Sequence, residues 1–347
     1  MKWLFIWAMD RLQRIRLSDV AEDAGVSPAT VSRAFARPEL LRPGTLERVR
    51  ASARRLRYLP DGSARALASG RSMTIGAVVP TLDSAIFSRA LQAMQVTLAR
   101  EGYQLLVASH EYSAATEVEA IRTLVQRGVD GVMLVGADRQ AEAGVLLASA
   151  GLSVVVTWCE EKAFPSISVD NVRAGALAAE HLIGLGHRRI GVVIGKLDFN
   201  DRQRARLDGI RGALERHSLA LSDWLVTQQP LTLSGGRSGC ATLLELKEPP
   251  TAIISGIDLL AIGCIEEAHA RRLDVPEVLS IVGIDDLEMS AHVSPSLTTV
   301  HLPTARIGEL AARSLLAQVR GGEAPRSIQL PIALVERRSS AAPAPRR

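Results

Sequence analysis

The sequence is poor in cysteine and in long apolar runs, and each scarcity argues against a class of protein. Its cysteines are only Cys159, Cys240 and Cys264. This odd number without CxxC spacing argues against a disulfide framework and a zinc site, and it is typical of a reducing cytoplasm. The apolar run at residues 3–9 is too short to span a bilayer, and no cleavage site follows it. We therefore expect a cytoplasmic protein without a membrane partner.

The motifs of common enzymes are also missing. No GxGxxG turn after a strand, GxxxxGK[ST] phosphate loop or GxSxG nucleophile elbow is present, and no His or Cys cluster has metal-ligand spacing. We expect a binding protein rather than an enzyme, with no cofactor and no metal. At the N-terminus, translation begins at either Met1 or Met9; a start at Met9 is favoured over a membrane anchor, and we assign no role to residues 1–14.

Positive charge is concentrated at one end of the chain. Residues 1–72 contain 14 Lys and Arg against 7 Asp and Glu, whereas the remaining residues contain 27 against 30. A basic front on a nearly neutral body is typical of a protein that contacts a polyanion with one end. The alternative is an ordinary solvated charged face.

The stretch LSDVAEDAGVSPATVSRAF, residues 17–35, has the spacing of a helix-turn-helix. Ala21 allows the second helix to cross closely, Gly25 suits a turn position with positive φ, and Val31 fills the space between the helices. Ser27 is a suitable N-cap for the second helix.

Further local signals complete a small basic domain. Pro28 fits the first turn of the second helix, where its missing N–H costs nothing. Leu46, Val49, Ala53 and Leu56 recur at helical spacing and predict a third helix over about 43–56.

These residues resemble the N-terminal headpiece of the lactose/galactose-repressor family of bacterial transcription regulators. The matching motifs are LSDVAEDAGVSPATVSRAF, RRLRYLP at the exit from the third helix, and ARAL just beyond it. The resemblance continues to the C-terminal region. It implies a DNA-binding repressor that acts as a homodimer, or as a tetramer, on operator DNA under the control of a small effector. One departure is Arg16, which stands where the family usually has the Ser or Thr that precedes the first helix.

By this resemblance the helix beginning near Pro28 is the recognition helix of the major groove. Pro28 and Ala29 offer only apolar contact, whereas Arg33 can form paired hydrogen bonds with guanine. The alternative for Arg33 is a phosphate contact or a salt bridge. Three hydroxyl residues are expected to bind phosphate or cap the helix rather than to recognise sequence: Ser27, Thr30 and Ser32.

The segment YLPDGSARALASG, residues 58–70, predicts a helix of barely two turns between Pro60 and Gly70. Helices this short are marginal in water because nucleation is costly, so we expect this one to form only when supported. The resemblance implies that two such hinge helices enter the minor groove, where Leu67 wedges between base pairs. The alternative is a plain linker with Leu67 packed on its own protein.

From Met73 onward, apolar strands alternate with amphipathic helices, as in TIGAVVP (74–80) and RIGVVIG (189–195). Such alternation predicts doubly wound parallel sheets, and two runs of it predict two lobes. The expected fold class is α/β: a small all-α helix-turn-helix headpiece and a two-lobed body like that of periplasmic binding proteins.

The predicted organisation has five parts. In order they are extra N-terminal residues at 1–14, the headpiece at 15–59, a hinge at 60–72, an effector-binding and dimerisation body at 73–338, and a tail of disordered composition at 339–347. Within the body we expect an N-lobe of about 73–170 and 302–328 and a C-lobe of about 171–300 and 329–338.

Ligands of such sheets bind beyond the carboxyl ends of the strands, here in a cleft between the lobes. The resemblance implies that Arg206 clamps polar groups of the effector and that Asp258 accepts its hydroxyls. The alternatives are a surface helix residue and a helix N-cap, respectively. Paired hydrogen bonds from both groups suit a sugar or a sugar acid. The family often has Asn where Ile257 stands, so one polar contact to the effector is missing.

Other candidates lie at the ends of the predicted strands. They are Asp83 and Ser84 on the N-lobe wall, Trp158 as a stacking platform or a core residue, and Asp285 as a binding or structural carboxylate.

Two other classes of function are alternatives. A solute-binding protein of the periplasmic sugar-binding type shares the two-lobed pattern, but it predicts an export signal and no headpiece. A sugar-modifying enzyme requires a catalytic constellation that the sequence lacks.

Overall fold

The computed structural model describes residues 15–59, 70–322 and 327–344. The chain divides into two compact units, one ending at Thr74 and the other beginning at Ile75. Leu67 and most of the predicted hinge lie outside the described residues.

The first unit is built from α1 (Leu17–Ala24), α2 (Pro28–Ala36) and α3 (Pro43–Leu56). The helix predicted over 43–56 is confirmed. Gly25 ends α1 with φ of 62°, a left-handed conformation that glycine adopts without steric cost. The core of this unit consists of small and β-branched side chains on all three helices: Val20, Ala21, Val31, Ala34, Val49 and Ala53.

The start of α1 shows how the chain manages without a Ser or Thr at position 16. The Arg16 side chain makes no capping hydrogen bond. Instead, the Asp19 carboxylate accepts the backbone N–H of Arg16 at 2.7 Å. This is the reciprocal half of a capping box, so the first turn is held by its third residue.

The second unit begins with the N-lobe, in which strands and helices alternate. In chain order they are β1 (Thr74–Val79), α4 (Ala85–Ala99), β2 (Gln104–Ser109), α5 (Ala114–Gln126), β3 (Gly131–Val135), α6 (Ala141–Ala150), β4 (Ser153–Trp158) and β5 (Ser166–Val169).

The C-lobe repeats this alternation. Its elements are α7 (Asn171–Gly184), β6 (Ile190–Gly195), α8 (Asp201–Arg216), β7 (Val226–Gln229), α9 (Leu233–Leu244), β8 (Ala252–Ser255), α10 (Asp258–Ala270), β9 (Ser280–Asp285) and β10 (Thr298–His301). The chain then continues through α11 (Thr304–Val319), β11 (Ile328–Leu330) and β12 (Ala333–Val335).

The two lobes have matching sheets. In the described residues the N-lobe strands follow the order β11-β5-β4-β3-β1-β2, and the C-lobe strands follow the order β12-β10-β9-β8-β6-β7. Eight of these pairs are parallel, and β10 with β12 is antiparallel. The predicted doubly wound, two-lobed α/β class is confirmed. Residues Ile328–Leu330 pair with β5, so the N-lobe sheet extends beyond the boundary predicted at 328.

The chain passes between the lobes at three places. The first is between β5 and α7, the second between β10 and α11, and the third between β11 and β12. The helix α11 returns to pack on α4 and β4 of the N-lobe.

The tail has the composition of a disordered end, but residues 339–341 form hydrogen bonds with the C-lobe. Ser339 is fully buried, and its hydroxyl accepts the Thr298 backbone N–H at 2.8 Å and donates to the Ile281 carbonyl at 2.6 Å. The Ala341 carbonyl lies 2.8 Å from Nε2 of His187. Hydroxyl groups, the His187 ring and the Ile281 backbone N–H together hold this Ser- and Ala-rich segment on the C-lobe.

Candidate functional site

The second helix of the headpiece presents the residues predicted to contact DNA. Ser27 caps α2, because its Oγ accepts the Thr30 backbone N–H at 3.2 Å. Pro28, Ala29 and Arg33 are exposed. The Arg33 guanidinium has no ion-pair or hydrogen-bond partner among the described residues, so its donors are available to a ligand. Thr30 and Ser32 are half-buried along the same helix.

The headpiece carries a surplus of positive charge. Residues 15–59 contain nine arginines and five acidic residues, a surplus of four positive charges. Two of these arginines are paired within the headpiece: Arg54 lies 2.7 Å from Glu47, and Arg55 pairs with Asp23. Exposed arginines beside a hydroxyl-capped helix N-terminus form a surface that favours phosphate.

In the second unit, a cavity of about 360 Å³ lies between the lobes, where the carboxyl ends of the strands meet. We call it the cleft. Of the predicted ligand residues, Asp83, Ser84, Arg206 and Asp285 line it. Six other polar residues line the cleft that the sequence analysis did not single out: Thr81, Ser88, Tyr112, Asn200, Arg202 and Gln203.

Arg206 is the central cation of the cleft and is fully buried. Its Nε donates to Asn171 Oδ1 at 3.1 Å, and its Nη1 donates to the Gly256 carbonyl at 2.5 Å and lies 3.5 Å from Asp285 Oδ1. Burial raises the pKa of Asp285 to about 8, and the nearby Arg206 guanidinium opposes that shift. The pair therefore offers both donors and an acceptor inside the cleft.

Close packing of α7 on α8 fixes the position of Arg206. A Cβ at Gly175 would collide with the backbone carbonyl of Arg206, and a Cβ at Gly209 would collide with that of Val172. These two glycines let the helix backbones touch. Arg206 therefore projects from a rigid element.

Asp258 does not line the cleft, which corrects the prediction that it accepts effector hydroxyls. It is fully buried at the start of α10. Its carboxylate accepts the Leu287 backbone N–H at 2.8 Å, the Ser290 hydroxyl at 2.6 Å and the Thr299 hydroxyl. These bonds hold the loop after β9, which forms one wall of the cleft. Asp258 thus positions the wall, and its oxygens accept hydrogen bonds from within the protein.

Trp158 is a core residue, the alternative that the sequence had left open. It is fully buried, and the Phe87 ring packs against it edge to face with 5.1 Å between the centroids. Phe87 lines the cleft, whereas Trp158 is not among the lining residues.

The start of α8 also forms the main polar contact between the lobes. The Asp201 carboxylate accepts the Ala137 backbone N–H at 2.7 Å, and Arg202 pairs with Asp201 at 2.7 Å. Arg204 pairs with Asp138 of the N-lobe. The start of α8 therefore carries both cleft residues and inter-lobe contacts. A ligand that contacts Arg206 would lie beside the contacts that join the two lobes.

His110 is enclosed at this junction. It is 2% exposed, and its ring packs edge to face on Phe199 with 5.5 Å between centroids. Burial lowers the pKa of His110 to about 4, with Arg202 and Arg139 adding to the shift, so the imidazole is neutral at pH 7.

The described ranges contain no candidate membrane span and no candidate metal site. No helix in 15–59, 70–322 or 327–344 is long and apolar enough to cross a membrane. In the same ranges, no three His, Cys, Asp or Glu side chains are grouped so that they could hold a metal ion. All three cysteines are free thiols.

A helix-turn-helix unit joined to a two-lobed body with a polar cleft defines a ligand-regulated DNA-binding protein. Residues 16–61 match the model for bacterial regulatory proteins of the lacI family, and residues 179–340 match that for the periplasmic binding protein-like domain. The chain is 31% identical over 307 residues to the transcriptional repressor CytR of Escherichia coli K12, covering 88% of this chain and 90% of CytR. The chain belongs to the lacI family.

Two solved structures have the same fold over nearly the whole chain. One is the lac repressor dimer bound to operator and the anti-inducer ONPF, with a TM-score of 0.84 and 26% identity; the match covers 95% of this chain and all of that one. The other is the complex of the transcriptional regulator CelR with cellobiose, with a TM-score of 0.71 and 27% identity; that match covers 94% of this chain and all of CelR. The protein is thus a DNA-binding transcriptional regulator with an effector-binding domain.

Proposed function

We propose that the protein is a homodimeric repressor that binds its operator through α2 of each headpiece and senses a small sugar in the cleft. One observation carries the proposal: a single chain presents an unpaired, exposed Arg33 on a capped helix and also encloses the Arg206–Asp285 pair in a ligand-sized cleft. The structure of CelR with cellobiose supports a sugar effector.

In this proposal the headpiece residues divide the work of DNA binding. Arg33 forms paired hydrogen bonds with guanine in the major groove, and Pro28 and Ala29 contact thymine methyl groups. Phosphates bind to the hydroxyls of Ser27, Thr30 and Ser32 and to the surrounding arginines, which makes affinity salt-dependent. Leu67 wedges into the minor groove at the centre of the operator.

The cleft is the sensor. Effector hydroxyls bind to Arg206, Asp285, Asp83 and Ser84, and binding changes the closure of the lobes around the start of α8. The change in the N-lobes alters whether the hinge segment becomes helical, and operator affinity follows. The protein acts in the cytoplasm and performs no catalysis, so sugars incubated with it are recovered unchanged.

Binding of selected DNA duplexes, followed by fluorescence anisotropy, tests the proposal. Sequence-specific sites are first enriched from random duplexes with the full chain. We expect Arg33→Ala to weaken binding to the enriched site by about 1–3 kcal/mol, because a bidentate contact to a base is lost.

The matched control is Arg48→Ala, which removes an exposed arginine from α3 rather than from α2. This substitution should weaken binding to the enriched site and to scrambled DNA to a similar extent. A protein that shows no preference for any enriched duplex over scrambled DNA would contradict the proposal. If Leu67→Ala and the parent protein have equal operator affinity, only the assignment of Leu67 as a minor-groove wedge is refuted.

A further inference from the structure

His110 is a buried ionisable residue at the junction of the lobes, and none of the proposed ligand contacts uses it. It follows β2, where its backbone N–H donates to the Val79 carbonyl at 3.1 Å and its carbonyl accepts the Ser113 N–H at 2.8 Å. Neither ring nitrogen has a hydrogen-bond partner within the part of the chain that the structure describes. A neutral imidazole carries one N–H and one acceptor nitrogen, so both are buried without a partner.

The cover over this ring comes partly from the C-lobe. The Phe199 ring, in the segment before α8, packs edge to face on the imidazole with 5.5 Å between the centroids. The Tyr112 ring comes from the same N-lobe loop as His110, and its centroid lies 6.2 Å from that of the imidazole. Separation of the lobes would move Phe199 away and leave Tyr112 in place. Water would then reach the ring nitrogens and supply the hydrogen bonds that they lack while buried.

Two guanidiniums, one from each lobe, oppose a positive charge on the ring. Arg139 belongs to the N-lobe loop after β3, and Arg202 belongs to α8 of the C-lobe. Burial lowers the pKa of His110 to about 4, with Arg202 and Arg139 adding to the shift. A Cβ at Gly136 of the N-lobe would collide with the Arg202 guanidinium, so this cation lies directly against the N-lobe backbone. Separation of the lobes would withdraw it from the ring.

Negative charge at the junction is already used by other cations. Tyr112 and Cys159 are neutral at pH 7, because burial raises the pKa of each. The four carboxylates grouped there are each paired with an arginine: Glu117 and Glu161 with Arg139, Asp138 with Arg204, and Asp201 with Arg202. A proton on the His110 ring would therefore meet two guanidiniums and, among the described residues, no unpaired carboxylate.

We propose that His110 couples closure of the two lobes to the release of a proton. The lobes as they stand in this structure, which we call the closed body, hold the imidazole neutral, and the ring binds a proton when the lobes separate. Acidification therefore opposes closure of the cleft, and it opposes any ligand that favours closure. The inference goes beyond the proposed function, because it concerns the two-lobed body alone and requires neither an operator nor an effector.

The direction and size of the effect follow from proton linkage. Freed of Phe199 and Arg202, the pKa of His110 returns toward its ordinary value of 6.5, whereas in the closed body it is about 4. Below pH 6.5 the separated lobes thus take up a proton that the closed body does not. Between pH 7.5 and 5.5 the ratio of separated to closed body should rise about 5- to 10-fold.

Single-molecule energy transfer between dyes on the two lobes measures this ratio in the full chain. Val145→Cys on α6 and Val278→Cys before β9 provide exposed labelling sites in the N-lobe and the C-lobe. Cys159→Ser removes the partly exposed native thiol, whereas Cys240 and Cys264 are buried. Labelled chains are diluted with excess unlabelled protein so that any assembly carries at most one dye pair. Circular dichroism at each pH verifies that the protein stays folded.

Two histidine variants assign the pH response to one ring. His110→Gln keeps a polar side chain of similar size that gains no charge, and its response should fall below about 2-fold. The control is His217→Gln, an exposed histidine at the end of α8, which should respond like the parent. Burial also raises the pKa of Glu117 and of Asp285, but all three proteins share these groups. Equal responses of His110→Gln and the parent would overturn the proposal.

A second measurement does not depend on the folding of His110→Gln. Nuclear magnetic resonance of ¹⁵N-labelled histidine rings in the parent should give a titration midpoint for His110 of about 4. Phe199→Ala removes the C-lobe ring from a half-buried position and should raise this midpoint toward 6.5. A midpoint of 6.5 in the parent, or the same low midpoint in Phe199→Ala, would show that the C-lobe does not control the proton.

Discussion

Replacement of Asp258 by alanine tests whether this carboxylate is structural or binds the effector. The substitution removes one side chain that accepts three buried hydrogen bonds, from Leu287, Ser290 and Thr299. Each bond to a charged group contributes roughly 1.5–3 kcal/mol, but single substitutions above about 4–5 kcal/mol are exceptional. We therefore expect the free energy of unfolding to fall by about 3–5 kcal/mol.

The assay is urea unfolding of the full chain, followed by circular dichroism. Asp258→Asn keeps one acceptor oxygen and should lose about half as much stability. The control is Asp223→Ala, whose carboxylate is 96% exposed and pairs with Arg211 at 3.4 Å, and which should change stability by less than about 1 kcal/mol.

Effector titration of the same variants distinguishes the two roles of Asp258. Loss of the loop anchor should weaken effector binding indirectly, by about 10-fold, because the cleft wall is no longer held. A variant that unfolds at the same urea concentration as the parent protein but no longer binds effector would refute our assignment. It would restore Asp258 as a direct ligand.

Two further substitutions test the packing and the electrostatics around the cleft. Gly175→Ala should push α7 away from α8, lower the free energy of unfolding in urea by about 1–3 kcal/mol and weaken effector binding. The control is Gly144→Ala, whose added Cβ meets nothing within 4 Å and which should not destabilise the protein. Equal stabilities of the two variants would contradict the close approach of the helices. The pKa of His110 is lowered to about 4, so between pH 6.5 and 4 the unfolded chain takes up a proton that the folded chain does not, and stability should fall as the pH falls through this window. His110→Gln should flatten that fall in urea midpoints measured at several pH values, and an unchanged slope would exclude His110 as its source.

The parts of the fold that depend on local chemistry were predictable from the sequence. Ser27 and Pro28 signal the start of α2 within a few residues, and the periodicity of apolar residues over 43–56 specifies α3. The alternation of strands and helices specifies the two sheets in the same way. These signals are short-range, so a single sequence contains them.

The roles of the cleft carboxylates were harder to predict, because they depend on long-range contacts. Asp258 and Asp285 both stand at the C-terminal side of a strand in the sequence. Only the position of Ser290 and Thr299, 32 and 41 residues away, shows that the hydrogen-bonding capacity of Asp258 is used internally. The contribution of Arg202 was accessible in principle, since it precedes Arg206 by one helical turn on α8.

In the tail, the sequence predicted too little structure. Its Ser, Ala and Pro residues have the composition of an unstructured end, but composition does not show whether another part of the protein offers a surface to which the tail can bind. His187 and Thr298 provide that surface, and they come from separate parts of the C-lobe.

Three segments of chain join the two lobes, after β5, β10 and β11, and this limits how the lobes can move. A single connection would leave one lobe free to rotate in any direction relative to the other, whereas three connections restrict these rotations. A change that a ligand in the cleft makes to the angle between the lobes is therefore restricted in direction. Ligand binding in such a body moves the lobes in a restricted direction. No continuous pathway of coupled residues is required for this movement.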